Sequence, residues 1–197
     1  GTVLVLQGRA EYIEKYFETV RDLRVRGFAV VTFDWRGQGL SDRALSNRQK
    51  GYVRSFSNYI TDLEAAMEQV VLPDCPPPIF ALGHSMGGAV AIRACHDGSR
   101  WFERVVLSAP MIALPPGRLS QFAGPLARFM RLIGVGGAYV PSGDSATTGT
   151  ESFIGNVLTS DPVRYARNAA VLEQEPALGL GAPTVAWADV ALRQMKQ

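Results

Sequence analysis

Four short apolar runs, separated by stretches with helical spacing, constrain this chain more than any other feature. Thr2-Val-Leu-Val-Leu6 is continuous, rich in β-branched residues and closed by Gly8. A run without polar alternation reads as a strand buried on both faces. Tyr12 to Arg26 follows, with Tyr16, Val20 and Leu23 on one helical face and Gly27 as the stop. A second strand is predicted at Phe28 to Phe33, and a helix at Thr61 to Val71 with Leu63, Ala66, Met67 and Val70 inward. Pro76-Pro77-Pro78 stops the chain before a third strand, Ile79 to Leu82. A helix from Met86 to Asp97, ended by Gly98, leads to the fourth strand, Val105 to Ser108. This alternation predicts an α/β fold: a mostly parallel sheet with helices on both faces. Ligands of such sheets bind at the carboxyl ends of the strands, where Gly8, Asp34 and Ser85 fall.

After Ala109-Pro110 the alternation ends. Pro110 to Gly143 holds no acidic residue and three arginines. Phe122, Leu126, Phe129, Met130 and Ile133 share one helical face, with Pro125 placed as a first-turn proline and Gly134 as the stop. Asp161-Pro162 opens another helix, running to Leu172, with the aspartate as its cap. Pro183 to Met195 reads as the last helix. The chain then divides into a core at 1–110, a helical cap over the sheet's carboxyl edge at 111–175, and a return helix at 176–197. The helix beginning at Pro125 has two readings. It packs its apolar face over the site with Arg128 and Arg131 solvated, or it lies on a membrane surface as a basic amphipathic helix. Its short length favours the first. Both readings put an apolar ceiling above Ser85, suited to an acyl chain.

Composition excludes several classes. A hydrophobic share of 47% in 197 residues suits one globular domain with a core. A net charge of +2 is too small to argue for nucleic acid. No Cys/His cluster has zinc spacing, and no cofactor is implied. Cys75 and Cys95 are too few for a disulfide framework, so a reducing, cytoplasmic setting is the default, with contact at the inner membrane only through the cap. No apolar run approaches the ~20 residues of a membrane span. Gly1 opens directly into the first strand with no basic n-region, so the start does not read as a signal peptide. It reads as a chain entered just ahead of a buried strand.

The chemistry sits in Gly83-His84-Ser85-Met86-Gly87-Gly88. G-x-S-x-G between a strand and a helix has the form of a nucleophile elbow, a sharp turn that exposes a serine hydroxyl. Gly83 and Gly87 remove the Cβ atoms that would clash across it. The alternative is a glycine-rich turn with a bystander serine. Attack of Ser85 on a carbonyl creates an oxyanion, which needs two aimed backbone donors. The N–H of Met86, first in the helix, is one candidate. The loop Gln7-Gly8-Arg9-Ala10 offers the second, or is an ordinary strand exit. Asp34-Trp-Arg-Gly-Gln-Gly-Leu-Ser41 reads as a structural loop, tight at Gly37 and Gly39, with Arg36 free to brace it against a carboxylate.

Neither histidine suits the serine. His84 is its neighbour at a sharp turn and points away. His96 lies on the same helix, roughly 16 Å along at ~1.5 Å per residue, where a general base needs contact. Ser108-Ala109-Pro110 offers no acid, and Asp144, Asp161 and Asp189 lie in the cap or after it.

These residues together resemble the α/β-hydrolase superfamily, and within it the monoacylglycerol lipase and bacterial lysophospholipase branch, the serine-aminopeptidase-like hydrolases. The resemblance rests on Gly83 to Gly88, Asp34-x-Arg-Gly-x-Gly-x-Ser41, Gly8 with Glu11, Leu107-Ser-Ala-Pro110, Leu158-Thr-Ser-Asp-Pro162 and Ala182-Pro-Thr-x-x-Trp187. It implies Ser85 as nucleophile and the N–H groups of Arg9 and Met86 as oxyanion hole. It also implies a lipid ester substrate, a lysophospholipid or monoacylglycerol, with no cofactor or metal. The family usually has His-Gly where this chain has Gln7-Gly8, which is closer to the bacterial lysophospholipases. Members also carry further strands at both ends, the later ones bringing the acid and histidine, so the chain is expected to be the middle of such a protein. A non-catalytic module binding lipid or a partner, and a related esterase or peptidase, are the alternatives.

Overall fold

The computed structural model describes residues 1–113, 120–141, 143–150, 152–156 and 158–196, the side chains of Ser120 and Gln121 excepted. Four parallel strands, β1 (Thr2–Leu6), β2 (Ala29–Thr32), β3 (Ile79–His84) and β4 (Arg104–Ser108), form one sheet in the order β2-β1-β3-β4. Each was predicted within two residues. The continuous apolar run of β1 is explained by its place: Leu4 and Leu6 face one side, Val3 and Val5 the other, and all four are buried.

The helices are α1 (Phe17–Val25), reached through a 3₁₀ turn at Ile13–Tyr16; α2 (Ser57–Ala66), continued by a π turn at Met67–Val71 into α3 (Leu72–Asp74); α4 (Met86–His96); α5 (Ser120–Leu132); α6 (Pro162–Gln174); and α7 (Val185–Gln194). Helices α2 and α4, with Val190 of α7, close the main core over Leu4, Leu6, Ile79 and Ala81. Helix α1 packs against β2. Gly27, at φ +86, and Gly98, at φ +104, end α1 and α4 in the left-handed conformation that favours glycine.

Three expectations need correction. The helix predicted from Thr61 begins at Ser57, and its inward residue near the end is Val71, fully buried, not Val70, which is 45% exposed. The π turn widens the helix by one residue there and rotates Val71 into the place Val70 would hold in a regular α-helix. Pro125 lies inside α5 rather than in its first turn. Gly124 before it lacks the Cβ that proline crowds, so the helix runs through. The third concerns the face of α5. Phe122, Leu126, Phe129 and Ile133 are exposed, and among the described side chains of α5 Ala127 is buried. Helix α5 lies along α7, and Arg131 sets its rotation by donating to the buried carboxylate of Asp189 at 2.8 Å and to the Arg54 carbonyl at 2.7 Å. Arg131 is therefore ion-paired, not solvated. The first part of the proposed cap, residues 114–119 with Arg118, lies outside the described residues, as do Ser142, Glu151 and Val157.

Helix α6 opens as predicted: Asp161 accepts from the Val163 and Arg164 amides, and Pro162 takes the first helical position. Helix α7 is capped by Thr184, whose hydroxyl accepts from the Trp187 amide and donates to the Gly51 carbonyl. Trp187 in turn donates to the Tyr59 hydroxyl at 3.0 Å, which ties α7 to the core.

Candidate active site

Among the described residues, three other than glycine have positive φ: Ser85 (48), Ala109 (43) and Ala10 (58). All three lie just beyond the carboxyl ends of β3, β4 and β1, so the backbone strain of the described residues converges on one place. At Ser85 the strand turns into α4 with no linker. Gly83 and Gly87 make this possible: a Cβ on Gly87 would strike the Leu6 and Gln7 carbonyls, and one on Gly83 would sit 2.8 Å from the Gly88 Cα. Strand β4 holds the turn in place. The Ser85 amide donates to the Ser108 carbonyl, and the Ser85 carbonyl accepts from the Met111 amide.

The first amide of α4, that of Met86, has no carbonyl one turn back within the helix to bond. Across from it, the loop after β1 is held on every side. Gly8 N–H donates to Glu11 at 2.5 Å and Ala10 N–H to Gln38 Oε1 at 3.3 Å. Gln38 Nε2 donates back to the Gly8 and Glu11 carbonyls, and the Trp35 indole to the Gln7 carbonyl. The Arg9 amide, between these, has no partner among the described residues. The arrangement thus brings a half-buried serine on a strained turn and two uncommitted N–H groups, Met86 and Arg9, to the same end of the sheet, because α4 starts against Leu6 and Gln7.

The Arg9 side chain runs away from this loop. Its guanidinium donates to the Gly181 carbonyl at 2.7 Å and stacks on Trp187. Burial lowers it to about 10, against the raising influence of Tyr59 and Tyr139, so it remains a cation near neutrality. Asp34 accepts from the Leu40 and Ile13 amides, closing the glycine loop on the chain after Arg9. Arg36 meets Asp62 through its Nε at 2.9 Å, the brace its sequence position suggested.

The two histidines and the three aspartates weighed in the sequence have other places or partners in the structure. His84 turns to Glu11, at 3.1 Å, and His96 is exposed at the far end of α4. Asp144 accepts from the amide of Ala146, Asp161 caps α6, and Asp189 binds Arg131 and Arg193. Among the described residues, no group of three His, Cys, Asp or Glu side chains is placed to hold a metal ion.

Two residues of the site had no role in the sequence reading, which named Glu11 only beside Gly8 and passed over Gln38. Gln38 is a buried amide threading the loop after β1, and its signal was a long polar side chain between two glycines. Glu11 is 6% exposed and accepts from Gly8, Lys15, Tyr16 and His84. Burial alone would raise its carboxyl, but the hydrogen bonds and charges of His84 and Lys15 outweigh that and hold it at about 2, against an ordinary 4.5. A folded value below the unfolded one means that Glu11 stabilises the fold fully above pH 4.5. That contribution, about 3 kcal/mol, disappears as pH falls towards 2. Urea unfolding of wild type and Glu11→Gln should therefore differ clearly at pH 7, and the gap should narrow below pH 4.5 and close only at about pH 2; equal gaps at pH 7 and pH 2 would refute this assignment.

A family profile described as "Serine aminopeptidase, S33" matches residues 1–197. The chain belongs to this hydrolase family. Lysophospholipase L2 of Escherichia coli (strain K12) is 33% identical over 190 residues, 94% of this chain and 54% of that protein. Monoglyceride lipase of Saccharomyces cerevisiae is 29% identical over 173 residues, 83% of this chain and 52% of that protein. The chain spans about half the length of these curated relatives. A solved structure of a soluble variant of the yeast monoglyceride lipase, in complex with a substrate analogue, superposes with a TM-score of 0.71 at 23% identity, covering 98% of this chain and 59% of that one. At that identity the likeness shows the fold, which is that of the α/β-hydrolases. The S33-family chain thus carries its strained turn at Ser85 on an α/β-hydrolase sheet.

Proposed function

We propose that this S33-family chain carries the nucleophile and oxyanion hole of a serine hydrolase acting on carboxylic esters of lipids, a lysophospholipid or monoacylglycerol. The observation that supports it most is the strained turn at Ser85, set beside the free amides of Met86 and Arg9. Ser85 Oγ attacks the ester carbonyl, and the Met86 and Arg9 amides receive the oxyanion. The serine's proton passes to a base and then to the departing alcohol, leaving the acyl group on Ser85. Water releases the fatty acid and restores the hydroxyl. The engagement of His84 with Glu11, and the exposure of His96 at the far end of α4, speak against either as that base. We assign base and acid to residues outside the 197, in the length by which the relatives exceed this chain. The lipid class is carried over from the names of those relatives.

Residues 111–175 serve as the cap. The outward apolar face of α5 favours contact with a lipid surface over packing onto the site. Phe129→Asp should then reduce co-sedimentation with phospholipid vesicles several-fold; unchanged binding would exclude that role. A fluorophosphonate probe applied to the full-length protein tests the central reading. Labelling is expected on Ser85. Absence of labelling would favour the alternative of a non-catalytic binding module, and labelling elsewhere would remove Ser85 as the nucleophile. A panel of lipid esters, short esters and aminoacyl amides separates a lipase from a related esterase or peptidase.

A further inference from the structure

We propose that Glu11 is the positioning residue of the oxyanion hole, a role that rests on the reading of Ser85, Met86 and Arg9 given above. Its carboxylate joins the two halves of that hole. Oε2 accepts from the Gly8 amide at 2.5 Å, next to Arg9, and from His84 Nδ1 at 3.1 Å, next to Ser85. The same oxygen accepts from the Tyr16 hydroxyl at 2.6 Å, and Oε1 from Lys15 Nζ at 2.6 Å. Four donors converge on the carboxylate, three at Oε2 and one at Oε1, which suits an ionised acid that accepts and donates nothing.

The packing leaves no slack. A Cβ on Gly8 would lie 2.7 Å from Glu11 Oε2 and 3.0 Å from His84 Nδ1. Gly8, Glu11 and His84 are therefore in direct contact, and a shift in one moves the others. By taking up the Gly8 amide, Glu11 leaves the Arg9 amide as the uncommitted donor and fixes the peptide plane before it. Gln38 does the same from the far side by holding the Gly8 carbonyl and the Ala10 amide. Burial, and then the Glu11 charge, push the Tyr16 phenol up, so it stays protonated and donates. Glu11 does not touch the substrate; it acts through the direction of the Arg9 N–H.

The effect belongs in the transition state, where the oxyanion forms. Glutamine at position 11 keeps the shape but turns one oxygen into a donor facing donors. In the full-length enzyme, Glu11→Gln is expected to lower kcat on the order of 10²-fold, the loss associated with a misdirected oxyanion donor, with KM within about twofold. Affinity for a long-chain trifluoromethyl ketone, which captures Ser85 as a tetrahedral adduct, should fall by the same factor. A purely structural role would not make inhibitor affinity track kcat. Tyr16→Phe removes one outer donor with little change in volume, and should lower kcat about fivefold with KM unchanged; it decides the question where Glu11→Gln does not fold. A folded Glu11→Gln or Tyr16→Phe enzyme with wild-type kcat, or a loss carried by KM, overturns the proposal. Fluorophosphonate labelling of Ser85 in the wild type separates the two levels. If Ser85 is not labelled, the reading of the site falls; if it is labelled and Glu11→Gln turns over normally, only the positioning role falls.

Discussion

Ser85→Ala in the full-length protein is expected to lower kcat for a lipid ester by a factor on the order of 10⁶ while leaving the fold intact. Removing the nucleophile of a serine hydrolase discards the covalent route as a whole, and what remains comes from binding and the oxyanion hole. Stability should hardly change, because alanine meets the same backbone strain at φ 48 as serine does. Glycine at this position makes the contrast. Ser85→Gly should be equally inactive but more stable, by about 1 kcal/mol once glycine's extra freedom in the unfolded chain is subtracted. Ester turnover and urea unfolding of the three proteins give the answer. Residual turnover above a hundredth of wild type in Ser85→Ala would remove the serine from the mechanism.

The second large effect is expected at Gly87. A Cβ there would lie 2.6 Å from the Gln7 carbonyl oxygen and closer still to Leu6, and both are backbone of β1 and its loop. Neither can rotate away, as a side chain would. Gly87→Ala must push the start of α4 off β1, and the cost lies at or beyond the upper end of the roughly 1–3 kcal/mol of ordinary overpacking. The same displacement separates the Met86 amide from the Arg9 amide, and a misplacement of about 1 Å costs on the order of 10² in rate. Stability and kcat should therefore fall together, unlike in the Ser85 variants. A Gly87→Ala enzyme with normal melting would show that α4 does not rest on β1 as described.

Much of this was legible in the sequence, for local reasons. Strand β1 stood out because a parallel strand buried on both faces is apolar on both, and from Val3 to Leu6 no polar residue interrupts the run. Asp161-Pro162 announced its helix because capping is a contact between near neighbours. The distance from Ser85 to His96 followed from helix rise alone. Other features hid behind long-range contacts. Val70 and Val71 stand three and four residues after Met67, and both spacings suit an inward face until the π turn chooses between them. The rotation of α5 is set by Arg131 meeting Asp189, 58 residues away, and periodicity carries no information about such a partner. Glu11 was visible as a residue near Gly8, but its link to His84 spans 73 positions and only the folded sheet brings them together.

The bonding of the elbow to β4 has a consequence for folding. Ser85 is held at its amide by Ser108 and at its carbonyl by Met111. Within the segment from β3 to α4 the Ser85 carbonyl has one local partner, the Ala89 amide, but the Ser85 amide has none, so the strained shape is held only in part without β4. The reactive conformation is completed only when a later-made strand docks, and a nascent chain stopped short of Ser108 presents an ordinary serine. Probe reactivity at this position would then time the arrival of β4 during refolding.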